Sequence, residues 1–409
     1  MTVVEILDEA RTGAAVERLV CHPRLPLVAG LDSVRPGVRV WECAGGRLRE
    51  VGETGVGSEP YGGAFGWERL LRTPVPAWHP ERAELVVSAE GKVVRWTPAG
   101  VEDAVRVPDG ARYRNLAFAP DGRTLWGSPS TRAEERCDVI DPGTGAVTVG
   151  PWWDTGVAAH PGGGLLLTLS SDQGATHGLF TRATGPGPRL LHRAVILDCD
   201  GYETPLFSPD GRHFAVRGNA YGNSVDVFAF PSLERVLSTP LGEPSPGYPY
   251  PPEWLESMRA WSRHNLAFGA DPGLLWVGTP RGTLVALDVE TREAEEHPLL
   301  DGSRVTALAT TATGEFVVAG SGGELALLSV PAGRTAEPGT AKTAVTAFLD
   351  STHDIPVDDD LEEHLLLTDG VRTWSADDLD TIDTADDTDP TWLRIQATVN
   401  SLRDQERRE

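Results

Sequence analysis

LAFAPDGRTLWG (Leu116–Gly127) and PLFSPDGRHFAV (Pro205–Val216) share one plan: an apolar run, a Pro-Asp-Gly turn, and a second apolar run. Pro presets the first turn position and Gly supplies the left-handed one, so each stretch reads as a tight hairpin. The plan recurs in LVCHPRLPLVAG from Leu19, PAWHPERAELVVS from Pro76, VAAHPGGGLLLTL from Val157 and LAFGADPGLLWVG from Leu266, and in degenerate form in ALATTATGEFVVAG from Ala307 and TAFLDSTHD from Thr346. Successive turn prolines, Pro23, Pro80, Pro120, Pro161, Pro209 and Pro272, are 57, 40, 41, 48 and 63 residues apart. A base period of about 40 residues is that of one four-stranded propeller blade. The two long spacings hold insertions, Val51–Thr73 and Glu243–Arg263.

A third strand follows each hairpin at the expected offset: GVRVWEC from Gly37, KVVRWTP from Lys92, CDVIDP from Cys137, SVDVFAF from Ser224, TLVALDV from Thr283, ELALLSV from Glu324 and GVRTWSA from Gly370. With these strands, and with Trp41, Trp96 and Trp374 near the ends of three of them, residues 15–382 resemble the WD40-like β-propellers. The resemblance implies an all-β, single propeller of four-stranded blades. No Trp-Asp pair ends those strands and no Gly-His pair is present, so it transfers no residue roles. The anchors number eight, with seven blades as the alternative, and Thr343–Thr381 forms the last unit. That unit lacks a fourth strand, which residues 3–7 would supply, closing the propeller and removing a sheet edge. The domain reading is therefore a propeller over 1–382, then an acidic linker and amphipathic helix over 383–409.

The 409 residues include 36 Lys plus Arg and 60 Asp plus Glu, a formal charge of −24. A polyanion would be repelled by such a surface, so nucleic acid and anionic membranes are not expected as partners. Fifteen acidic residues and one basic residue lie between Asp350 and Pro390, a local charge of −14, so the rest of the chain is only mildly acidic. Runs of this kind are ordinarily solvated loop. The four cysteines, Cys21, Cys43, Cys137 and Cys199, form no CxxC pair, and the N-terminus has neither a basic nor an apolar leader region. A reducing cytoplasm is the expectation. Arg outnumbers Lys by 34 to 2, the bias of a GC-rich bacterial genome.

Second-to-third-strand loops and blade-joining loops of a propeller emerge on one face, and here both insertions open there. The first carries Tyr61, Phe65 and Trp67; the second carries Tyr248, Tyr250, Trp254 and Trp261. Tyr221 lies in the long loop Arg217–Asn223. Aromatic residues on constrained loops give large contact areas at small entropic cost, so Tyr61, Phe65, Trp67, Tyr221, Tyr248, Tyr250 and Trp254 form the expected partner-binding set. The alternative is that they fold back as plugs. Pro251–Ser262 reads as a short helix with Trp254, Met258 and Trp261 on one face. Asp389-Pro390-Thr391 reads as the start of another, with Trp392, Ile395, Val399 and Leu402 as its apolar stripe.

Chemistry has little support. His22, His79 and His160 each precede a turn proline, and three imidazoles with a water would suit zinc. Ala119 and Ser208 occupy the same position in other units, and a polar residue entering a turn ordinarily satisfies backbone groups. The run Asp198–Glu203 lacks the spacing of a calcium loop, and there is no GxSxG, GxxxxGK[ST] or HExxH motif. No catalytic residue, metal or cofactor is assigned. The expected function is a cytoplasmic, non-catalytic scaffold or regulatory subunit that binds another protein through its decorated face. The alternatives are an enzyme or small-ligand protein using the three histidines or Asp154, Asp198 and Asp200, and an acidic neutraliser of a basic toxin or nuclease.

Overall fold

The computed structural model describes residues 4–407 except 56, 103–105, 109, 131–135, 173–174, 184–187, 200, 220–221, 331–332, 338 and 357–363. The chain divides into two compact units, one comprising residues 1–152 and 251–336 and the other residues 153–250 and 337–409.

The first unit contains five antiparallel sheets of four strands, four of them in sequence order. The first blade is β2 (Val16–Cys21), β3 (Leu27–Asp32), β4 (Val38–Glu42) and β5 (Arg49–Thr54). The second is β6 (Val75–Trp78), β7 (Leu85–Ala89), β8 (Lys92–Thr97) and β9 (Gly100–Glu102), and the third is β10 (Asn115–Phe118) to β13 (Val147–Pro151). The sixth runs from β22 (Leu266–Phe268) to β25 (Ala294–Pro298). The seventh combines β26 (Val305–Thr310), β27 (Phe316–Gly320) and β28 (Glu324–Ser329) with the N-terminal β1 (Glu5–Arg11), which pairs antiparallel along β28.

The second unit holds the fourth blade, β14 (Ala158–Ala159), β15 (Leu165–Asp172), β16 (Ala175–Arg182) and β17 (Arg189–Leu197), and the fifth, β18 (Leu206–Phe207), β19 (His213–Gly218), β20 (Ser224–Ala229) and β21 (Arg235–Pro240). The sheets are the seven blades of a β-propeller. The Pro-Gly hairpins of the sequence are the first two strands of each blade.

Eight blades were expected and there are seven. The slot that the N-terminal strand fills is the edge of β28, so the seventh blade is complete without residues 343–381. The segment opens on a helix instead: Thr340–Asp350 is an α-helix whose Val345 and Phe348 are buried. The rest of that segment extends the fourth blade. β29 (Leu366–Thr368) pairs parallel with β17, and β30 (Thr373–Trp374) pairs with β29, making a six-stranded sheet. Trp374 therefore lies outside a blade third strand, with the Arg372 guanidinium 5.0 Å from its ring centre. By contrast Trp41 and Trp96 end true third strands and are almost fully buried. Gly52 on β5 makes room for the second: a Cβ there would lie 2.2 Å from the Trp96 indole nitrogen.

Five helices lie outside the sheets among the described residues: α1 (Gly66–Arg72), α2 (Pro252–Ala260), α3 (Thr340–Asp350), α4 (Ala376–Thr381) and α5 (Thr391–Glu406). The C-terminal helix begins where the Asp-Pro-Thr signal put it, but a different carboxylate caps it. Asp198 accepts from the Thr391 amide at 3.1 Å and from its hydroxyl at 2.7 Å. Its buried side is Leu393, Ala397 and Asn400 rather than the Trp392-Ile395-Val399-Leu402 stripe, and Ile395 and Leu402 are exposed. A polar anchor sets this rotation, because the Asn400 amide donates to the carbonyls of Leu379 and Ile382 at 2.7 and 2.8 Å.

The acidic segment is also structured over its described part. Asp354 pairs with Arg182 and Arg189, Arg372 bridges Asp369 and Asp389, and Ser375 with Asp378 forms a reciprocal cap on α4. Asp358 to Glu363 lie outside the described residues.

Candidate functional site

The first insertion links β5 to β6 and leans on the β3–β4 turn. The Tyr61 amide donates to the Val34 carbonyl at 2.8 Å, and the Tyr61 ring is buried beneath the Arg69 guanidinium, 3.9 Å from its centre. Burial pushes the Tyr61 phenol up to about 12 and raises the Glu17 carboxyl, which pairs with Arg69. Arg69 also donates to the Ser33 carbonyl at 3.1 Å. Arg72 donates to the carbonyls of Glu59 and Pro60 at 2.7 and 3.3 Å and pairs with Glu90 at 3.4 Å. The arginines of α1 thus tie the helix down and shield the tyrosine.

This arrangement inverts the helix. Trp67, Leu70 and Leu71 stand at i, i+3 and i+4 and share one face, and that face is the solvent side. Phe65 is 84% exposed, Trp67 59%, Leu70 47% and Leu71 38%. Surface helices ordinarily turn the apolar stripe inward. Here the two arginines go inward because Tyr61, Glu17 and three carbonyls give them partners, and the apolar residues are left out. Beside the insertion, a cavity of about 320 Å³ opens between Ala14, Val34, Arg35, Arg39 and Thr54, floored by the buried Asp32. The Asp32 carboxylate is held by the amides of Val34 and Arg35 at 2.7 and 3.3 Å, and Arg39 donates to the Thr12 carbonyl at 2.7 Å.

The remaining members of the expected aromatic set are distributed unevenly. Tyr248 is 89% exposed and meets Tyr250 edge to face at 6.0 Å, with Tyr250 half-buried. Trp254 is the buried residue of α2, and Met258 and Trp261 are half-buried, so this helix presents its stripe inward. Tyr61 and Trp254 therefore anchor their insertions, whereas Phe65, Trp67 and Tyr248 face solvent. Tyr221 lies outside the described residues. Leu70 and Leu71, absent from the expected set, share the exposed patch; their spacing from Trp67 was the available signal.

The three histidines do something else. In each, Nδ1 accepts from the turn that follows: from Arg24 and Leu25 for His22, Glu81 and Arg82 for His79, and Gly162 for His160, all at 3.0–3.1 Å. That fixes the tautomer with the proton on Nε2. Nε2 then donates across to the turn of the next blade: His22 to the Arg82 carbonyl and His160 to the Gly211 carbonyl, both at 2.9 Å, while His79 bonds the Gly122 backbone.

Each ring also packs on the next blade's first strand, on Trp78, Phe118 and Phe207 at 5.2, 5.2 and 4.7 Å. Glycine is needed at the receiving turns of His79 and His160, since Gly122 and Gly211 have φ of 69° and 68° and a Cβ would strike the imidazole. Both ring nitrogens are committed, which leaves no lone pair for a metal, and burial lowers the basicity of all three. Of the candidate aspartates, Asp154 accepts from the Ser171 amide at 2.9 Å, Asp198 caps α5, and Asp200 lies outside the described residues.

The site is thus an apolar helix face held out from a seven-bladed propeller by half-buried arginines and a buried tyrosine. No family model matches the chain, and no curated protein matches it.

Proposed function

We propose that the protein is a non-catalytic scaffold or regulatory subunit, of the WD40-like kind, that binds another protein through the outward face of α1. The observation that carries this is the inversion of that helix, with Phe65, Trp67, Leu70 and Leu71 in solvent while Arg69 and Arg72 hold the base. A contiguous apolar patch exposed on a rigid base is what association buries, and Trp and Phe in such a patch are the residues that anchor it. Tyr248 offers a second exposed aromatic contact. The reading places the protein in a bacterial cytoplasm. Its four free thiols accord with that compartment, and no helix of the described residues is long and apolar enough to cross a membrane.

Phe65→Ala with Trp67→Ala tests the reading when recovery of a partner from host lysate is compared with wild type. The double variant should recover at least about tenfold less partner, the scale of one lost anchor of 1.4 kcal/mol or more. Equal recovery would end the reading. A variant of Glu253 on α2, also exposed but polar, should recover as much as wild type.

A further inference from the structure

The C-terminal extension meets the fourth blade along β17, and the contact has two parts. Residues 351–355 run past the strand's first half: the His192 amide donates to the His353 carbonyl at 2.9 Å, and the Ile355 amide donates to the Leu190 carbonyl at 2.8 Å. β29 then pairs with Arg193, Ala194 and Val195. Where the first part crosses, the imidazoles of His192 and His353 stack with centres 4.1 Å apart and planes 26° apart. The Nδ1 of His192 is buried and has no hydrogen-bond partner among the described residues. His353 is exposed, so protons reach the pair directly.

We propose that the His192–His353 stack is a proton-operated latch: proton uptake by the pair loosens residues 351–356 and 364–368 from β17 and opens that strand's outer edge. Two neutral imidazoles stack favourably, whereas two imidazoliums at this separation repel, and a protonated Nδ1 on His192 would be a buried donor without an acceptor among the described residues.

The surroundings supply little relief. Among the described residues, the charged and titratable groups on the elements around the pair include His177 and Arg182 of β16, Arg189 and Arg193 of β17, Lys342 and Asp350 of α3, and Asp354 and His364 of the extension. Arg182 and Arg189 occupy both oxygens of Asp354, at 2.8 and 3.3 Å. Arg193 reaches the Ser351 hydroxyl and the Ser232 carbonyl. Asp350 is exposed. His192 is held below its ordinary basicity by burial first and then by His353 and His364, and no carboxylate of the described residues acts in the other direction. The two arginines keep the Asp354 carboxyl well below the usual carboxylate range. That ion pair therefore persists at mildly acidic pH and does not itself drive the opening.

An open β17 edge exposes unpaired backbone groups of the kind an extended peptide pairs with.

The test is hydrogen exchange by mass spectrometry on the full chain at pH 7.5 and 5.5, corrected for the intrinsic pH dependence of exchange. Peptides covering 351–356 and 364–368 should open about tenfold more at pH 5.5 in wild type, on the scale of unit charges 4 Å apart in a partly solvated site. Peptides over β19 and β20 should change much less. His353→Phe, which retains a ring to stack and sits at an exposed position, should abolish the dependence, and His192→Phe should do the same. Unchanged protection in wild type at pH 5.5, the same dependence in His353→Phe, or equal loss across β19 and β20 would each overturn the latch.

Discussion

The first insertion and the C-terminal extension are both additions to the repeated blade, and they dispose of their apolar side chains in opposite ways. In α1 the arginines turn inward onto Tyr61 and backbone carbonyls, and Trp67, Leu70 and Leu71 remain in solvent. In the extension Phe348 of α3 is fully buried against Phe180 and Phe230, at 4.7 and 5.0 Å, and Leu367 and Leu393 join Leu179 and Ile196 in one cluster. The extension completes a core. The insertion leaves one incomplete, and its polar anchoring makes the omission stable. Apolar side chains thus build a structural element in one place and a candidate contact surface in the other.

The sharpest way to break this contrast is to truncate a residue on the inward side. Phe348→Ala should destabilise the protein by about 3–5 kcal/mol, as expected for an aromatic removed from a packed core, and chemical denaturation measures it. A loss under about 1 kcal/mol would show the extension to be merely attached. His160→Ala, which removes a link between the fourth and fifth blades, should cost about 1–3 kcal/mol by leaving the Gly211 carbonyl and the Gly162 amide unpaired.

Acidification acts on the same links more weakly. His22, His79, His160 and His192 are held below their ordinary value near 6.5, and burial pushes His177 down to about 4. The unfolded chain therefore binds protons first as pH falls below about 6.5, and stability must rise with pH across that window. The melting temperature should be lower at pH 5.5 than at 7.5; a higher or equal value would contradict the wiring of the turns. At the small end, Phe65→Ser with Trp67→Ser should move stability by no more than about 0.5 kcal/mol, the usual scale for exposed positions. A larger loss would make α1 another core element and dissolve the contrast.

The blades were legible because Pro and Gly punctuate strands whose spacing repeats, and each hairpin so marked proved to be a blade's first two strands. The eighth unit was misread because a local hairpin, Leu366–Trp374, imitates a blade fragment, whereas its sheet partner, β17, is remote in sequence. Period alone also could not reveal that β1 had already filled the open edge. For the site, the aromatic content of the insertions was plain, but orientation was not. Whether Tyr61 or Trp67 turns inward depends on Glu17 and Ser33, which lie on the first blade and beyond any local pattern, as well as on Glu59 of the insertion itself. The histidine position was recognised as recurrent; its role depended on an acceptor one blade away, some 50 to 60 residues along the chain.

The central claim is that the outward face of α1 is where another protein binds. Hydroxyl-radical footprinting of the wild-type chain, alone and with the partner recovered by it, reads that face directly. Phe65 and Trp67 should oxidise readily in the free protein and become protected in the complex, while Tyr61 stays protected in both. Protection of Trp67 already in the free protein, or a complex that leaves its oxidation unchanged, would contradict the account.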